Sequence, residues 1–153
     1  ENKDLLLMDS LPKNAGIVRI HVAGDFFSAD YMQAWYSVAM SNPTVLFYAY
    51  TKSLTYWDNV VNEMPILNNF VLTASYGGRA DHMISELGLR STTVVYSEAE
   101  AEKLGLEIDH DDSHAARPSL RNQDFALLIH GMGPTGSRQA KIAASVRKTK
   151  ISA

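Results

Sequence analysis

Apolar residues along this chain follow two alternating rhythms. Short continuous runs rich in β-branched and aromatic residues read as strands, and between them apolar residues recur with a helical period. Ile17-Val18-Arg19-Ile20-His21-Val22 is the first strand-like run, and residues 44–50, 70–74, 91–96, 106–108 and 125–130 are the later ones. After the first run, Tyr31, Trp35, Val38 and Ala39 recur at i, i+4, i+7 and i+8, the apolar stripe of a helix. Ser28 is suited to cap that helix, Asp30 favours its first turn, and Asn42-Pro43 stops it. Residues 55–63 predict a second helix, with Trp57, Val60, Val61 and Met64 on one side and Pro65 at its end. Residues 79–87 predict a third, closed by Gly88 at the position past the helix end where glycine is favoured. Ser97-Glu98-Ala99-Glu100 is a capping box opening a fourth, which ends at Gly105. Residues 109–124 read as polar and irregular, residues 137–147 as a last amphipathic helix, and residues 148–153 as a frayed end.

The strand-like runs recur roughly every 20–27 residues, the length of one βα unit. Strands buried on both faces lose the polar alternation of a half-exposed sheet, and these runs are nearly continuous. The reading is therefore an α/β fold with a mainly parallel sheet flanked by helices. An open doubly wound sheet and a partial (β/α) barrel both fit, whereas a complete eight-unit barrel needs roughly 250 residues. No linker and no internal duplication divides the 153 residues, so a single domain over residues 1–153 is expected.

Composition narrows the chemistry. With 46% hydrophobic and 20% charged residues the chain is ordinary globular material. Its 14 basic and 17 acidic residues give a net charge of −3, which argues against a surface built to coat nucleic acid. The absence of cysteine excludes disulfides, a thiolate zinc site, a cysteine nucleophile and an iron–sulfur cluster held by this chain's own thiolates. No apolar run approaches the roughly 20 residues that span a bilayer, and Leu5-Leu6-Leu7-Met8 is too short for a signal peptide core. A cytoplasmic protein is expected.

Parallel α/β sheets carry their sites at the carboxyl ends of the strands. There the sequence sets Gly24-Asp25, Thr51-Lys52-Ser53, Ser75-Tyr76-Gly77-Gly78-Arg79, Ser97 and His130-Gly131. Within the first strand Arg19 and His21 fall on one face by the two-residue period. Together with Asp25 they read as a pocket floor, His21 and Asp25 being the candidate catalytic pair, or as a structural ion pair on an edge strand. Ser75, Gly77, Gly78 and Arg79, with Arg19 and Lys52, are candidate anion ligands, because glycines admit close backbone approach and guanidinium forks onto oxyanions. A plain tight turn explains the glycines equally well. The cluster Asp109-His110-Asp111-Asp112-Ser113-His114 suggests a divalent metal site, since alternate residues of an extended chain put His110, Asp112 and His114 on one side, with Glu107 able to join. A solvated acidic loop is the competing reading. Gly131-Met132-Gly133-Pro134-Thr135-Gly136 matches a dinucleotide-loop pattern, but no strand or ribose-binding acid follows it. The basic residues Arg138, Lys141, Arg147, Lys148 and Lys150 read as a solvated helix face rather than a nucleic-acid footprint. Phe47-Tyr48-Ala49-Tyr50 could stack bases but reads first as core.

The blocks Arg19-Ile20-His21-Val22-Ala23-Gly24-Asp25-Phe26-Phe27-Ser28, Phe47-Tyr48-Ala49-Tyr50-Thr51-Lys52-Ser53, Leu106-Glu107-Ile108-Asp109-His110-Asp111-Asp112-Ser113-His114 and Phe125-Ala126-Leu127-Leu128-Ile129-His130-Gly131 resemble the phage gene product 88 family. The resemblance implies a phage-associated protein, in the host cytoplasm, and transfers no catalytic assignment. Longer members carry an upstream cysteine segment that looks like a radical-SAM or iron–sulfur region. This chain has no cysteine and starts at Glu1 near the first block, so the resemblance implies either the C-terminal part of a longer protein or a member without that chemistry.

The leading expectation is a pocket for a small anionic ligand or nucleotide at the strand carboxyl ends, metal-assisted if His110, Asp112 and His114 converge. The alternatives are a non-catalytic assembly or host-interaction module, forming a homo-oligomer through an open sheet edge, and a DNA-handling accessory protein. Neither a membrane nor a nucleic-acid partner is favoured.

Overall fold

The computed structural model describes residues 3–129. His130, the 131–136 glycine run, the expected last helix and the basic tail lie outside the described residues. The elements, in chain order, are α1 (Lys3–Ser10), β1 (Ile17–Arg19), α2 (Ala29–Ser41), β2 (Leu46–Thr51), α3 (Leu54–Glu63), β3 (Phe70–Ser75), α4 (His82–Glu86), β4 (Ser91–Val95), α5 (Glu98–Leu104), β5 (Glu107–Ile108), α6 (Ser113–Ala116), a 3₁₀ turn (Pro118–Leu120) and β6 (Phe125–Leu128). The six strands form one sheet in the order β1-β2-β3-β4-β6-β5, every neighbouring pair parallel, curled into a half-barrel flanked by helices.

Local signals set most boundaries. The Ser28 hydroxyl accepts from the Tyr31 amide and starts α2, and the Ser97 hydroxyl accepts from the Glu100 amide and starts α5. The Glu100 carboxylate takes the Tyr96 amide at 2.8 Å, one residue upstream of the position a standard capping box uses. Gly88 and Gly105, at φ 60° and 68°, end their helices in paired bonds, Leu89 to Ile84 and Gly88 to Ser85, then Leu106 to Ala101 and Gly105 to Glu102.

Other expectations shift. The first strand stops at Arg19 rather than at residue 22, because the chain bends at Ile20 after its amide bonds Tyr48 O. The third helix begins at His82, the preceding residues forming a turn. The 109–124 stretch contains α6 and the 3₁₀ turn, and α1 is an element the strand–helix rhythm does not foresee.

The two-residue period of the strands divides the sheet into two faces. Phe47 and Ala49 of β2 join Met32, Trp35, Val38 and Ala39 of α2 and Val60 of α3 in the main core, with Val18, Phe70 and Leu72 packed against it. Smaller clusters continue this face, Leu54 with Ala74 and Ile84, then Val95 with Ala101 and Ala126. The Asn69 side-chain amide donates to the carbonyls of Ala39, Asn42 and Val45, tying the turn before β2 to the start of β3. No helix among the described residues is long and apolar enough to cross a membrane.

Phe47 is fully buried with its ring 6.2 Å from that of Trp35. Phe47→Ala is expected to cost about 3–5 kcal/mol through lost burial and the cavity left behind. Urea unfolding checks it, as a lower midpoint at unchanged slope.

Candidate functional site

The opposite face of the sheet is polar. Arg19 pairs in register with Tyr48, Tyr50 with Thr73, Ser75 with Thr92, and both Thr92 and Glu107 with Phe125. Thr73 and Thr92 are fully buried although polar, while Tyr48 is nearly so. A buried hydroxyl row needs partners and cover, and the segment from Asp109 to Arg117 supplies part of both.

Asp112 is the centre of that cover. Its Oδ2 accepts from Arg19 at 2.9 Å and from the Tyr48 hydroxyl at 2.8 Å, and its Oδ1 accepts from the Tyr50 hydroxyl at 2.9 Å. Among the described residues it is the sole non-glycine with positive φ, at 61°, a region that aspartate tolerates better than most residues. Arg19 is fixed from two further sides, by its Nε bond to His21 O and by the Tyr50 ring, 5.1 Å from its guanidinium carbon. Burial first, then the hydrogen bond to Asp112, pushes the Tyr48 hydroxyl up to about 12. The same causes in the same order push Tyr50 higher still.

Beside it, the buried Asp109 carboxylate accepts from the amides of Asp111, Ser113 and His114 and so nucleates α6. The His114 ring is buried between two carboxylates, Nδ1 3.5 Å from Asp109 Oδ1 and Nε2 3.4 Å from Glu107 Oε2, with its centroid 5.1 Å from that of Phe125. Arg90 donates to His114 O at 2.6 Å and to the Thr73 hydroxyl. Burial lowers its affinity for its proton, and the like charge of Arg121 acts in the same direction.

The expected metal triad does not assemble. The 109–114 stretch is turned rather than extended, so Asp112 faces Arg19 and the tyrosines, His114 faces Asp109 and Glu107, and His110 is exposed. Among the described residues no group of three His, Asp or Glu is placed to hold a metal ion.

At the carboxyl ends of β1–β3 the predicted residues do gather, but in unforeseen pairings. Asp25 accepts from the Phe26 amide at 2.7 Å, the Thr51 hydroxyl at 2.6 Å and the Lys52 amide at 2.7 Å, lashing the loop after β1 to the end of β2. The Lys52 ammonium donates to Ser75 Oγ at 2.8 Å. Its stem fills the space beside the glycines, since a Cβ on Gly78 would stand 3.0 Å from Lys52 Cβ, and Gly77 sits at φ 100°. The Gly77 and Gly78 amides, expected to meet a ligand, both donate to the Asp81 carboxylate at 2.9 Å. Arg79 is exposed in the next turn.

His21 and Arg19 do not share a face, because the strand ends between them. His21 turns toward α2, edge-on to Phe26 at 4.7 Å and 3.3 Å from the Tyr31 hydroxyl. Burial lowers its pKa, opposed by the Asp25 charge. Sequence reasoning passed over Tyr48 and Tyr50 as core, left Asp109 outside the metal set within its cluster, and omitted Arg90. The signal for the tyrosines was present, in hydroxyl-bearing residues at alternate positions of an otherwise apolar strand.

A family model described as gene product 88 matches residues 5–148. No curated protein and no solved structure matches the chain.

Tyr48 holds its proton more tightly in the folded than in the unfolded chain. Its contribution to stability is therefore complete below its ordinary value of 10.0 and is lost as pH rises toward about 12. His21 has the opposite sign, contributing above its ordinary 6.5 and losing that contribution as pH falls through its lowered value. Chemical denaturation across pH checks both. Tyr48→Phe is expected to flatten the alkaline limb, and His21→Phe the acidic one.

Proposed function

The chain belongs to the phage gene product 88 family, and from that membership together with the rim geometry we propose that the protein binds a small anionic ligand at the carboxyl ends of β2 and β3, with Lys52 as its cation. One observation carries the reading. The Lys52 ammonium is held against a neutral hydroxyl, Ser75 Oγ, and among the described residues no carboxylate lies within ion-pair distance of it. A positioned ammonium without a counter-charge attracts an anion. Ser75 fits the same role, because an oxygen that accepts from Lys52 keeps its own proton to donate to an anionic oxygen. The glycine turn packed on the Lys52 stem restricts that side chain, so less entropy is lost on binding. Arg79, exposed in the loop after β3 that carries this turn, is a second cation on the rim.

Arg19, the cation at the end of β1, already meets Asp112. The Gly77 and Gly78 amides already meet Asp81. Lys52 with Ser75 is thus the pair left for a ligand.

A second reading, an assembly module, is favoured by the half-barrel itself. Among the described residues β1 has no neighbour on its outer side, and Ile17, Val22 and Phe27 near it are 62%, 86% and 72% exposed. Unpaired strand edges and exposed apolar side chains favour association.

Thermal shift and calorimetry with inorganic phosphate, a nucleoside monophosphate and succinate test the first reading. At least one probe is expected to stabilise the protein. Lys52→Met is expected to weaken it by about 10–100-fold, corresponding to the roughly 1.5–3 kcal/mol of a charge-assisted bond. The substitution keeps the Lys52 amide that Asp25 uses, so the loop stays anchored. No response to any probe, with a dimer by light scattering, favours the assembly reading instead.

A further inference from the structure

We propose that Arg19, Tyr48 and Tyr50 form a binding site for a small free carboxylate, whose occupant in this structure is the chain's own Asp112. The inference goes beyond the anion reading at Lys52 and uses none of its residues.

The three donors belong to the sheet and not to the segment that fills them. Arg19 and Tyr48 are register partners on adjacent strands, and Tyr50 lies two residues further along the same face. The Arg19 side chain is braced by His21 O and the Tyr50 ring, contacts that do not involve Asp112. The set of donors therefore stays in place when its occupant leaves.

Its chemistry selects a carboxylate. One guanidinium N–H and one phenol converge on a first oxygen, and a second phenol meets the other oxygen. Charge-assisted donors split over two oxygens in this way match a planar carboxylate. The more numerous oxygens of a tetrahedral phosphate would leave acceptors unmet. The site is also reachable, because the Arg19 and Asp112 side chains are 35% and 24% exposed.

The occupant is the replaceable part. Asp112 adopts the left-handed conformation in a turn leading into a helix of four residues, and that helix owes its start to Asp109. Moving Asp112 out breaks its three contacts with the sheet and relieves an unfavourable backbone conformation. A free carboxylate and the segment around α6 thus compete for one position, and the segment acts as a built-in competitor over the polar face.

Asp112→Gly tests this, since glycine accepts the positive φ and removes the internal carboxylate. The folded variant is expected to bind acetate at least tenfold more tightly than the wild type, in calorimetry and tyrosine difference absorbance, with chloride at equal ionic strength as control. Phosphate is expected to bind more weakly than acetate. Arg19→Gln in the same background is expected to abolish the gain, while Lys52→Met leaves it intact, which separates this site from the rim site. No gain for acetate, or a gain that survives loss of Arg19, overturns the proposal. Tighter binding of phosphate than of acetate overturns the ligand class. Should Asp112→Gly not fold, Asp112→Asn replaces it, with a smaller gain expected because the neutral amide is a poorer partner for Arg19. Should neither variant fold, amide exchange in the wild type decides. Acetate but not chloride is expected to speed exchange over Ser113–Ala116, and equal rates overturn the proposal.

Discussion

Along β2, Phe47, Ala49 and Thr51 point to the helices while Tyr48 and Tyr50 point away, and the rest of the molecule depends on that alternation. Because the register is parallel, each neighbouring strand repeats the division. Val18, Leu72 and Ala74 extend the apolar side, and Arg19, Thr73 and Ser75 the polar side. A slip of one residue would bury Arg19 and both phenols against α2 and α3. The core therefore fixes the site through the pleat of the strands.

The polar face is organised by carboxylates. Asp25 gathers a loop and a strand end, Asp81 holds the glycine turn, Asp109 opens α6, and Asp112 joins α6 to the sheet. Each accepts two or more donors, many of them backbone amides that strand and helix ends leave unpaired. Segments with few apolar contacts are positioned in this way by oriented hydrogen bonds. The donors themselves would suit external anions equally well.

What the sequence makes legible is what it encodes locally. Ser28, Ser97, Gly88 and Gly105 act within a few residues of their own positions, and the helix boundaries they mark are those seen. The parallel sheet followed from continuous apolar runs with the spacing of βα units, and the half-barrel was one of the two forms considered. The pairings of the site were not legible, because they join distant positions. Arg19 and Asp112 are 93 residues apart, and nothing near either one names the other. The glycine turn shows the same limit at short range. Gly77 and Gly78 signalled an approach to something, yet what approaches is the Lys52 stem on one side and Asp81 on the other. The metal reading assumed an extended chain through residues 110–114, and the Asp109 amide bonds wind that stretch into a turn instead.

The strand order carries a consequence for how the chain matures. β6 lies between β4 and β5, although β5 precedes it in sequence. When the chain has emerged from the ribosome as far as residue 124, the first four strands can be zipped together while β5 has only α5 and its own turn to lean on. A vacant slot then separates β4 from β5 until Phe125–Leu128 leaves the ribosome and slides in, hydrogen-bonding to both sides at once. The arrival of that one short strand closes the sheet, so a nascent chain stalled just before it would present two raw strand flanks to solvent.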